Sequence, residues 1–241
     1  MQENDIACLA FPKTSHLLFA QKALPQNQED QFAFLLKHQG SISCFKSLSE
    51  TCPITRKIEF LTGRILLKDA IKTILNDEIV DTEVGIGSSG MPLWPGGIIG
   101  SVTHTKRHVC VMVGLSQEYL AMGIDLEPLI SSEKSQELGP LVLGASEIDL
   151  YRQDLSAMPF NQFFTRCYSF KEAIYKLLFP QIKTFIDFKE IVITNINPVQ
   201  DAILAIYRPL IANQFSGHFL EGKSFNYKQG IFSYILLSKT R

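Results

Sequence analysis

The stretch Gly123-Ile124-Asp125-Leu126-Glu127 is the most informative part of this chain. Apolar residues alternate with small or acidic ones from Leu120 to Glu127, which is typical of a β-strand because successive strand side chains point to opposite faces. One face then carries Leu120, Met122, Ile124 and Leu126, and the other carries Ala121, Gly123, Asp125 and Glu127. Since Asp and Glu are depleted in strands, two acids on one face indicate that something binds them.

Two carboxylates so close repel each other, and a cation between them relieves the repulsion. Oxygen-only ligands suit Mg²⁺, which usually completes its coordination with waters and substrate phosphates. The alternative for an isolated Asp-x-Glu pattern is a solvated strand end with two ordinary surface acids, and from Asp125 and Glu127 alone that alternative is favoured.

A second acidic motif, Tyr168-Ser169-Phe170-Lys171-Glu172-Ala173-Ile174-Tyr175-Lys176, predicts a helix. Glu172 and Lys176 are four residues apart and therefore lie on one side of it. This motif adds a carboxylate and two lysines to the strand acids, which together predict a metal site with cationic groups for a polyphosphate. An exposed Glu–Lys pair that stabilises the helix slightly is the plainer alternative.

Two further segments carry residues that suit phosphate. Ser101 and His104 follow a Gly- and Pro-rich loop, and hydroxyl and imidazole groups can bond phosphate oxygens. Arg56 and Arg64 are eight residues apart, which puts them roughly 80° apart around a helix. Guanidinium groups suit phosphate or a base, although from these two arginines alone a role in surface solubility is favoured.

The rest of the pattern indicates helices and strands in both halves of the chain. Residues 51–76 predict a helix with Thr55 as a cap, and residues 85–100 predict a loop. Runs at 109–113 and 120–127 predict two strands joined by a hairpin turn. Residues 139–179 predict helices, and 191–194, 202–207 and 230–237 predict strands. We place a boundary near Pro128, between halves 1–127 and 128–241.

Composition excludes several classes of protein. The 241 residues are 46% hydrophobic and 20% charged, as in an ordinary globular protein, and the net charge of −1 argues against a nucleic-acid binder. The five cysteines show no CxxC spacing, so neither a zinc ribbon nor a disulfide framework is expected. No secretory signal or transmembrane segment is expected, which predicts a cytoplasmic protein.

Five motifs in order resemble the 4′-phosphopantetheinyl transferases of the Sfp/EntD type. They are Arg56-x-x-Glu59-Phe60-x-x-Gly63-Arg64, Pro92-Leu93-Trp94-Pro95, Gly100-Ser101-x-x-His104, Gly123-Ile124-Asp125-x-Glu127 and Ser169-x-Lys171-Glu172-Ala173-x-x-Lys176. They lie between residues 56 and 176, half of the chain. The Trp-Pro loop resembles the enterobactin-synthase branch, whereas Thr103 and Tyr168 replace the residues common in the family.

The resemblance implies an α+β monomer of two similar halves related by a pseudo-twofold axis, with coenzyme A in the cleft between them. By position it makes Asp125, Glu127 and Glu172 the ligands of Mg²⁺ or Mn²⁺. It puts Lys171, Lys176, His104 and Ser101 at the phosphates and Arg56 and Arg64 at the nucleotide end. Glu172, Lys176 and Asp125 would be the catalytic residues, with Glu172 or a metal-bound water as the base.

The implied reaction is transfer of 4′-phosphopantetheine from coenzyme A to a serine of an apo peptidyl, aryl or acyl carrier protein, which releases adenosine 3′,5′-bisphosphate. The Trp-Pro loop favours siderophore or nonribosomal peptide synthesis, and fatty-acid carriers are an alternative. Another metal-dependent phosphodiester-cleaving enzyme and a catalytically silent carrier-binding module are the competing hypotheses. We expect the carrier to contact Met158, Pro159, Phe160 and Phe163 beside Arg166.

Overall fold

The computed structural model describes residues 17–48, 51–76, 83–87, 90–209 and 213–239. These residues divide into two compact units. The N-terminal unit precedes Met122 and also takes in the end of the chain from Ser238, and the C-terminal unit spans Met122–Leu237. The boundary expected from sequence lies a few residues further along, before Pro128.

The N-terminal unit is built around an antiparallel sheet with the strand order β1-β5-β4. Its elements are β1 (Leu17–Ala23), α1 (Gln28–His38), a 3₁₀ turn (Ser43–Ser47), α2 (Ile54–Ile74), β2 (Gly85–Ile86), β3 (Pro92–Leu93), β4 (Ile98–His104) and β5 (His108–Leu115). Helix α2 buries Ile58, Leu67 and Ile71 in one core cluster with Val109 and Val111 of β5. This packing fixes which residues of α2 remain at the surface.

The helix predicted over residues 51–76 is confirmed as α2, but its predicted cap is wrong. Pro53 occupies the position before the helix, and Thr55 lies inside the first turn. Proline suits a helix start because its fixed φ angle is compatible with the first turn and it has no N–H to satisfy. The predicted loop at 85–100 contains two short paired strands, β2 and β3, and the first residues of β4.

The C-terminal unit contains a five-stranded sheet with the order β6-β10-β9-β8-β7. Its elements are β6 (Tyr119–Pro128), which leads into the unit, α3 (Ser132–Val142), α4 (Ala145–Asp154), α5 (Phe160–Ile182), a 3₁₀ turn (Phe188–Glu190), β7 (Ile191–Asn197), β8 (Ala202–Tyr207), β9 (Phe219–Tyr227) and β10 (Gly230–Ser238). Helix α5 is the most deeply buried helix in this unit, with Phe163, Phe170 and Ile174 fully enclosed. The predicted α+β class is confirmed.

One expectation about the strands was wrong, and one strand of the five-stranded sheet was not predicted. The hairpin expected between β5 and β6 does not form, because β6 pairs with β10 and β5 lies between β1 and β4. Strand β9 was not predicted, since its Lys223, Ser224 and Asn226 interrupt the apolar pattern. Within the described residues, no helix is long and apolar enough to span a bilayer.

Candidate active site

The acidic face of β6 lies directly against helix α5. A Cβ atom on Gly123 would come within 1.9 Å of the carbonyl oxygen of Ala173, so any other residue would push the helix away from the strand. Glycine therefore allows the close approach of the two backbones. The consequence is that Asp125, two residues further along β6, comes within reach of side chains from α5.

Lys176 of α5 pairs with Asp125 of β6. The Lys176 ammonium donates to Asp125 Oδ1 at 2.6 Å and to the carbonyl oxygen of Ile124 at 3.1 Å. The Asp125 side chain is 4% exposed, whereas that of Lys176 is 28% exposed. The pair is therefore buried at its acidic end and reaches solvent at its basic end, where a ligand can meet the ammonium group.

Two more carboxylates lie close to this pair. Burial, and after it the negative charge of Asp125, raises the pKa of Glu127 to about 7. Burial and then Asp125 also raise the pKa of Glu172. The pKa of the Tyr168 phenol rises to about 12, first through burial and then through the charges of Glu172, Glu127 and Asp125. The predicted strand acids and helix acid are thus brought into one electrostatically coupled group.

Whether these carboxylates suit a metal can be judged from their chemistry and placement. Three carboxylates balanced by one ammonium leave an excess of negative charge, and their oxygens are the ligands that Mg²⁺ prefers. Among the described residues, however, no three His, Cys, Asp or Glu side chains converge as metal ligands do. The three carboxylates fit a hard divalent cation in charge and chemistry. To coordinate the same ion, their side chains must change rotamer.

The expectation that both Lys171 and Lys176 contact phosphates is wrong for Lys171. Its side chain is fully buried, and its ammonium group donates to the carbonyl oxygens of Val142 at 2.7 Å and Phe188 at 3.0 Å. It also pairs with Glu147 Oε1 at 2.8 Å. An enclosed ammonium whose donors are all taken has none left for a ligand, so the structure contradicts a phosphate contact by Lys171.

In the N-terminal unit, Arg56 and Glu59 of α2 meet His104 at the end of β4. Arg56 Nη1 lies 2.6 Å from His104 Nε2 and 3.3 Å from Glu59 Oε2, and His104 Nδ1 lies 3.4 Å from the same carboxylate oxygen. A neutral imidazole satisfies both contacts only when Nδ1 carries the proton and Nε2 accepts from Arg56. Arg56 and His104 are exposed, so this cluster can bind an anion.

Arg64 and Ser101 do not join that cluster at the surface. Arg64 is 7% exposed, and its guanidinium group stacks on Phe60 at 4.8 Å and donates to the carbonyl oxygen of Gly85 at 3.1 Å. Ser101 is buried inside β4, three residues from His104 and therefore on the opposite face of the strand. The expectation that these two residues contact coenzyme A beside Arg56 and His104 is contradicted by this placement.

The residues expected to contact a carrier are also partly in the core. Phe163 is fully buried, and Arg166 is 3% exposed with hydrogen bonds to the carbonyl oxygen of Ser224 and to Asn226. These two residues are structural. Met158 and Phe160 are half-buried and Pro159 is exposed, so a carrier contact there stays a prediction.

Two family models match the chain, one in each part. The model of the 4′-phosphopantetheinyl transferase N-terminal domain matches residues 47–114, and that of the 4′-phosphopantetheinyl transferase superfamily matches residues 121–223. The first match contains Arg56 and His104, and the second contains Asp125, Glu127, Glu172 and Lys176. The chain belongs to the 4′-phosphopantetheinyl transferase superfamily.

The chain is also similar to several individual proteins. The chain is 31% identical to enterobactin synthase component D of Salmonella typhimurium over 121 residues, which is 50% of this chain and 47% of the relative. It is 29% identical over 139 residues to the 4′-phosphopantetheinyl transferase PptT of Mycobacterium tuberculosis, 58% of each chain. The match to the 4′-phosphopantetheinyl transferase Npt of Nocardia iowensis is 29% over 112 residues, 46% of this chain and 48% of the relative. The matches span about half the length of these relatives.

Sequence reasoning missed the roles of two acids in this superfamily member. Glu59 was noted only as part of a motif, yet it contacts both Arg56 and His104. Glu147 was not noted at all, because a single acid in a helical segment gives no signal of its buried partner 24 residues away. The Arg-x-x-Glu spacing could have indicated the first contact, since residues three apart are neighbours on a helix.

Proposed function

We propose that this protein transfers 4′-phosphopantetheine from coenzyme A to a serine of an apo carrier protein and releases adenosine 3′,5′-bisphosphate. The observation that carries the proposal is the Asp125–Lys176 pair with Glu127 and Glu172 beside it, held where α5 meets Gly123. Membership of the superfamily supports the same reaction.

The carrier serine attacks the phosphorus that bears the pantetheine arm. A bond forms from the serine oxygen to that phosphorus, and the bond from phosphorus to the bridging pyrophosphate oxygen breaks. The negative charge that develops on the departing oxygen is stabilised by Lys176, whose ammonium reaches solvent while Asp125 holds it from the buried side. A preorganised cation at a developing oxyanion contributes several kcal/mol to such a step, roughly 3–4 by comparison with oxyanion-hole donors.

Glu172 is the proposed acceptor of the serine proton. In the metal-free chain, burial and the charge of Asp125 raise the pKa of Glu172, so this carboxylate takes up a proton more readily than an ordinary one. Asp125, Glu127 and Glu172 would hold Mg²⁺ or Mn²⁺. Such an ion, when bound, neutralises the pyrophosphate and the charge that develops on it.

Arg56 and His104 are proposed to bind the nucleotide end of coenzyme A, where the 3′-phosphate offers a dianion to an exposed guanidinium and imidazole. Glu59 keeps both groups oriented. The proposal also includes two similar halves, residues 1–127 and 128–241, which are related by a pseudo-twofold axis and divide the roles between them. It further includes a monomeric state, a cytoplasmic location and a siderophore or nonribosomal peptide pathway.

The deciding experiment incubates the purified full chain with coenzyme A, Mg²⁺ and an apo carrier, followed by mass spectrometry of the carrier. We expect the carrier to gain one phosphopantetheine group, no reaction in EDTA, and recovery with Mg²⁺ or Mn²⁺. Zn²⁺ should substitute poorly at an all-carboxylate site. Peptidyl, aryl and fatty-acid acyl carriers tested side by side identify the pathway.

Two controls separate the competing hypotheses. Cleavage of coenzyme A without any carrier would identify a phosphodiester hydrolase, and carrier binding with no change of mass would identify a silent module. Asp125→Asn should keep the fold and lose transfer. A mass gain that persists in Asp125→Asn would remove the central role given to this carboxylate.

A further inference from the structure

The buried pair Lys171–Glu147 joins five elements of the C-terminal unit. Lys171 of α5 donates to the carbonyl oxygens of Val142, in α3, and Phe188, in the 3₁₀ turn. Glu147 of α4 accepts from the backbone N–H of Gly144 at 2.7 Å and of Ile193, in β7, at 2.9 Å. Both side chains are at most 1% exposed, and the bonds to Val142 and Ile193 are fully buried.

A buried ion pair of this kind contributes little net stability unless its remaining donors and acceptors are bonded. Here the three N–H donors of Lys171 are used, and both oxygens of Glu147 accept bonds from the backbone as well as from Lys171. The geometry is therefore specific: it holds α5 at a fixed position relative to α3, α4, the 3₁₀ turn and β7.

The same helix is held on its other side by β6. Ala173, which touches Gly123, follows Lys171 by two residues and so lies roughly 160° away around the helix. Glu172 and Lys176 project between these two anchor points, toward Asp125 and Glu127. A shift of α5 would change the distance from Lys176 and Glu172 to the strand acids.

We propose that Lys171 and Glu147 are positioning residues: they fix α5 so that Glu172 and Lys176 meet Asp125 and Glu127, and Lys171 makes no contact with coenzyme A. The role in transfer rests on the proposed function, whereas the positioning of the carboxylates does not. Replacing a residue that orients metal ligands without binding the metal itself typically lowers metal affinity by 10- to 100-fold.

The test compares Lys171→Met, Glu147→Gln and the double variant in the full chain. Mn²⁺ binding is measured by calorimetry, transfer is measured as kcat and as KM for coenzyme A, and stability is measured by thermal melting. We expect each single variant to weaken Mn²⁺ binding by about 10-fold or more and to lower kcat to the same extent, with little change in KM for coenzyme A. The exposed neighbour on α4, Asp149→Asn, is the matched control and should behave as the unmodified chain.

The double variant removes both buried charges, so it should melt closer to the unmodified chain than Lys171→Met does, without recovering Mn²⁺ affinity. Recovery of both properties would overturn the proposal, because the pair would then serve stability alone. A raised KM for coenzyme A in Lys171→Met but not in Glu147→Gln would also overturn it, since Lys171 would then contact the substrate. Absence of transfer by the unmodified chain would count against the proposed function, and the Mn²⁺ titration would still decide the positioning role.

Discussion

Helix α5 carries two lysines five residues apart, and each is paired with one acid at a similar distance. Lys171 lies 2.8 Å from Glu147, and Lys176 lies 2.6 Å from Asp125. The first lysine is fully enclosed and bonded to three elements, whereas 28% of the second side chain is exposed. Two ion pairs that look alike by distance therefore differ in what surrounds them.

The surroundings decide what each lysine can do. An enclosed ammonium cannot exchange its partners for a ligand without leaving a buried carboxylate unpaired, which is costly. An ammonium that reaches solvent can contact an incoming phosphate while it keeps its bond to Asp125, because 28% of the Lys176 side chain is exposed. Lys171 is therefore suited to hold the helix, and Lys176 is suited to meet a substrate.

The largest effect that tests this comparison is on stability. Lys171→Met should lower the free energy of unfolding by about 3–5 kcal/mol, since it leaves Glu147 buried without its partner. Lys176→Met should lower it by less, because its ammonium group is 28% exposed and water can take part of its place beside Asp125. Urea denaturation of both variants measures the difference. Similar losses in the two would show that exposure does not separate the pairs.

The next largest effect is expected on kcat for transfer when Lys176 is replaced. Lys176→Ala should reduce kcat by about 100- to 1,000-fold, because it removes a cation from the oxygen that takes up charge. Lys189→Ala, at an exposed position of the 3₁₀ turn, is the control and should leave kcat unchanged. A kcat for Lys176→Ala close to that of the control would exclude the role given to this ammonium.

A smaller effect is expected in the N-terminal unit, at the nucleotide end. Arg56→Ala should raise KM for coenzyme A by about 10-fold, the equivalent of one charge-assisted hydrogen bond, and should leave KM for dephospho-coenzyme A nearly unchanged. Lys72→Ala, exposed in the last turn of the same helix, is the control. An Arg56 variant that still prefers coenzyme A to its dephospho form would place the 3′-phosphate elsewhere.

The smallest expected effect is a pH dependence of stability that arises from Glu127, beside Asp125. The pKa of Glu127 is about 7 in the folded chain and about 4.5 when unfolded, so the folded state holds the proton more tightly. The metal-free chain should therefore lose stability as the pH rises from about 4.5 through 7, by roughly 1 kcal/mol after solvent screening. Melting temperatures between pH 5 and 8 measure this trend.

Glu127→Gln should reduce the slope of that pH profile and leave the contribution of Glu172, whose pKa is also raised. Mg²⁺ should stabilise the unmodified chain more at pH 8 than at pH 6, because the ion needs the ionised carboxylate. An unchanged slope in Glu127→Gln would assign the titration to another group.

Some of the site follows from local sequence pattern. The two-residue period of β6 places Asp125 and Glu127 on one face, and the helical period of α5 places Glu172 and Lys176 on one side. The same reasoning predicted the extent of α2, β8 and β10 closely. These features depend on residues that are neighbours in the chain, so periodicity is enough to find them.

Other features depend on residues that are distant in the chain. The turn between β5 and β6 looked like a hairpin, but β6 gains its partner from β10, about a hundred residues later. Arg64 and Ser101 were grouped with Arg56 and His104 by motif, and their burial in the core of the N-terminal unit separates them. Neither outcome can be predicted from the local sequence pattern, because each depends on residues distant in the chain.

The sequence by itself determined the carboxylate pair of β6 and the Glu-Lys side of α5, because each is encoded by spacing within one element. The order of five motifs along the chain indicated the superfamily. Only the tertiary structure decided which lysine of α5 is enclosed. That choice rests on Val142, Glu147 and Phe188, which approach Lys171 from three other elements. Burial turns one of two similar charges into a structural link and leaves the other for chemistry, since the cost of breaking an ion pair depends on the water around it.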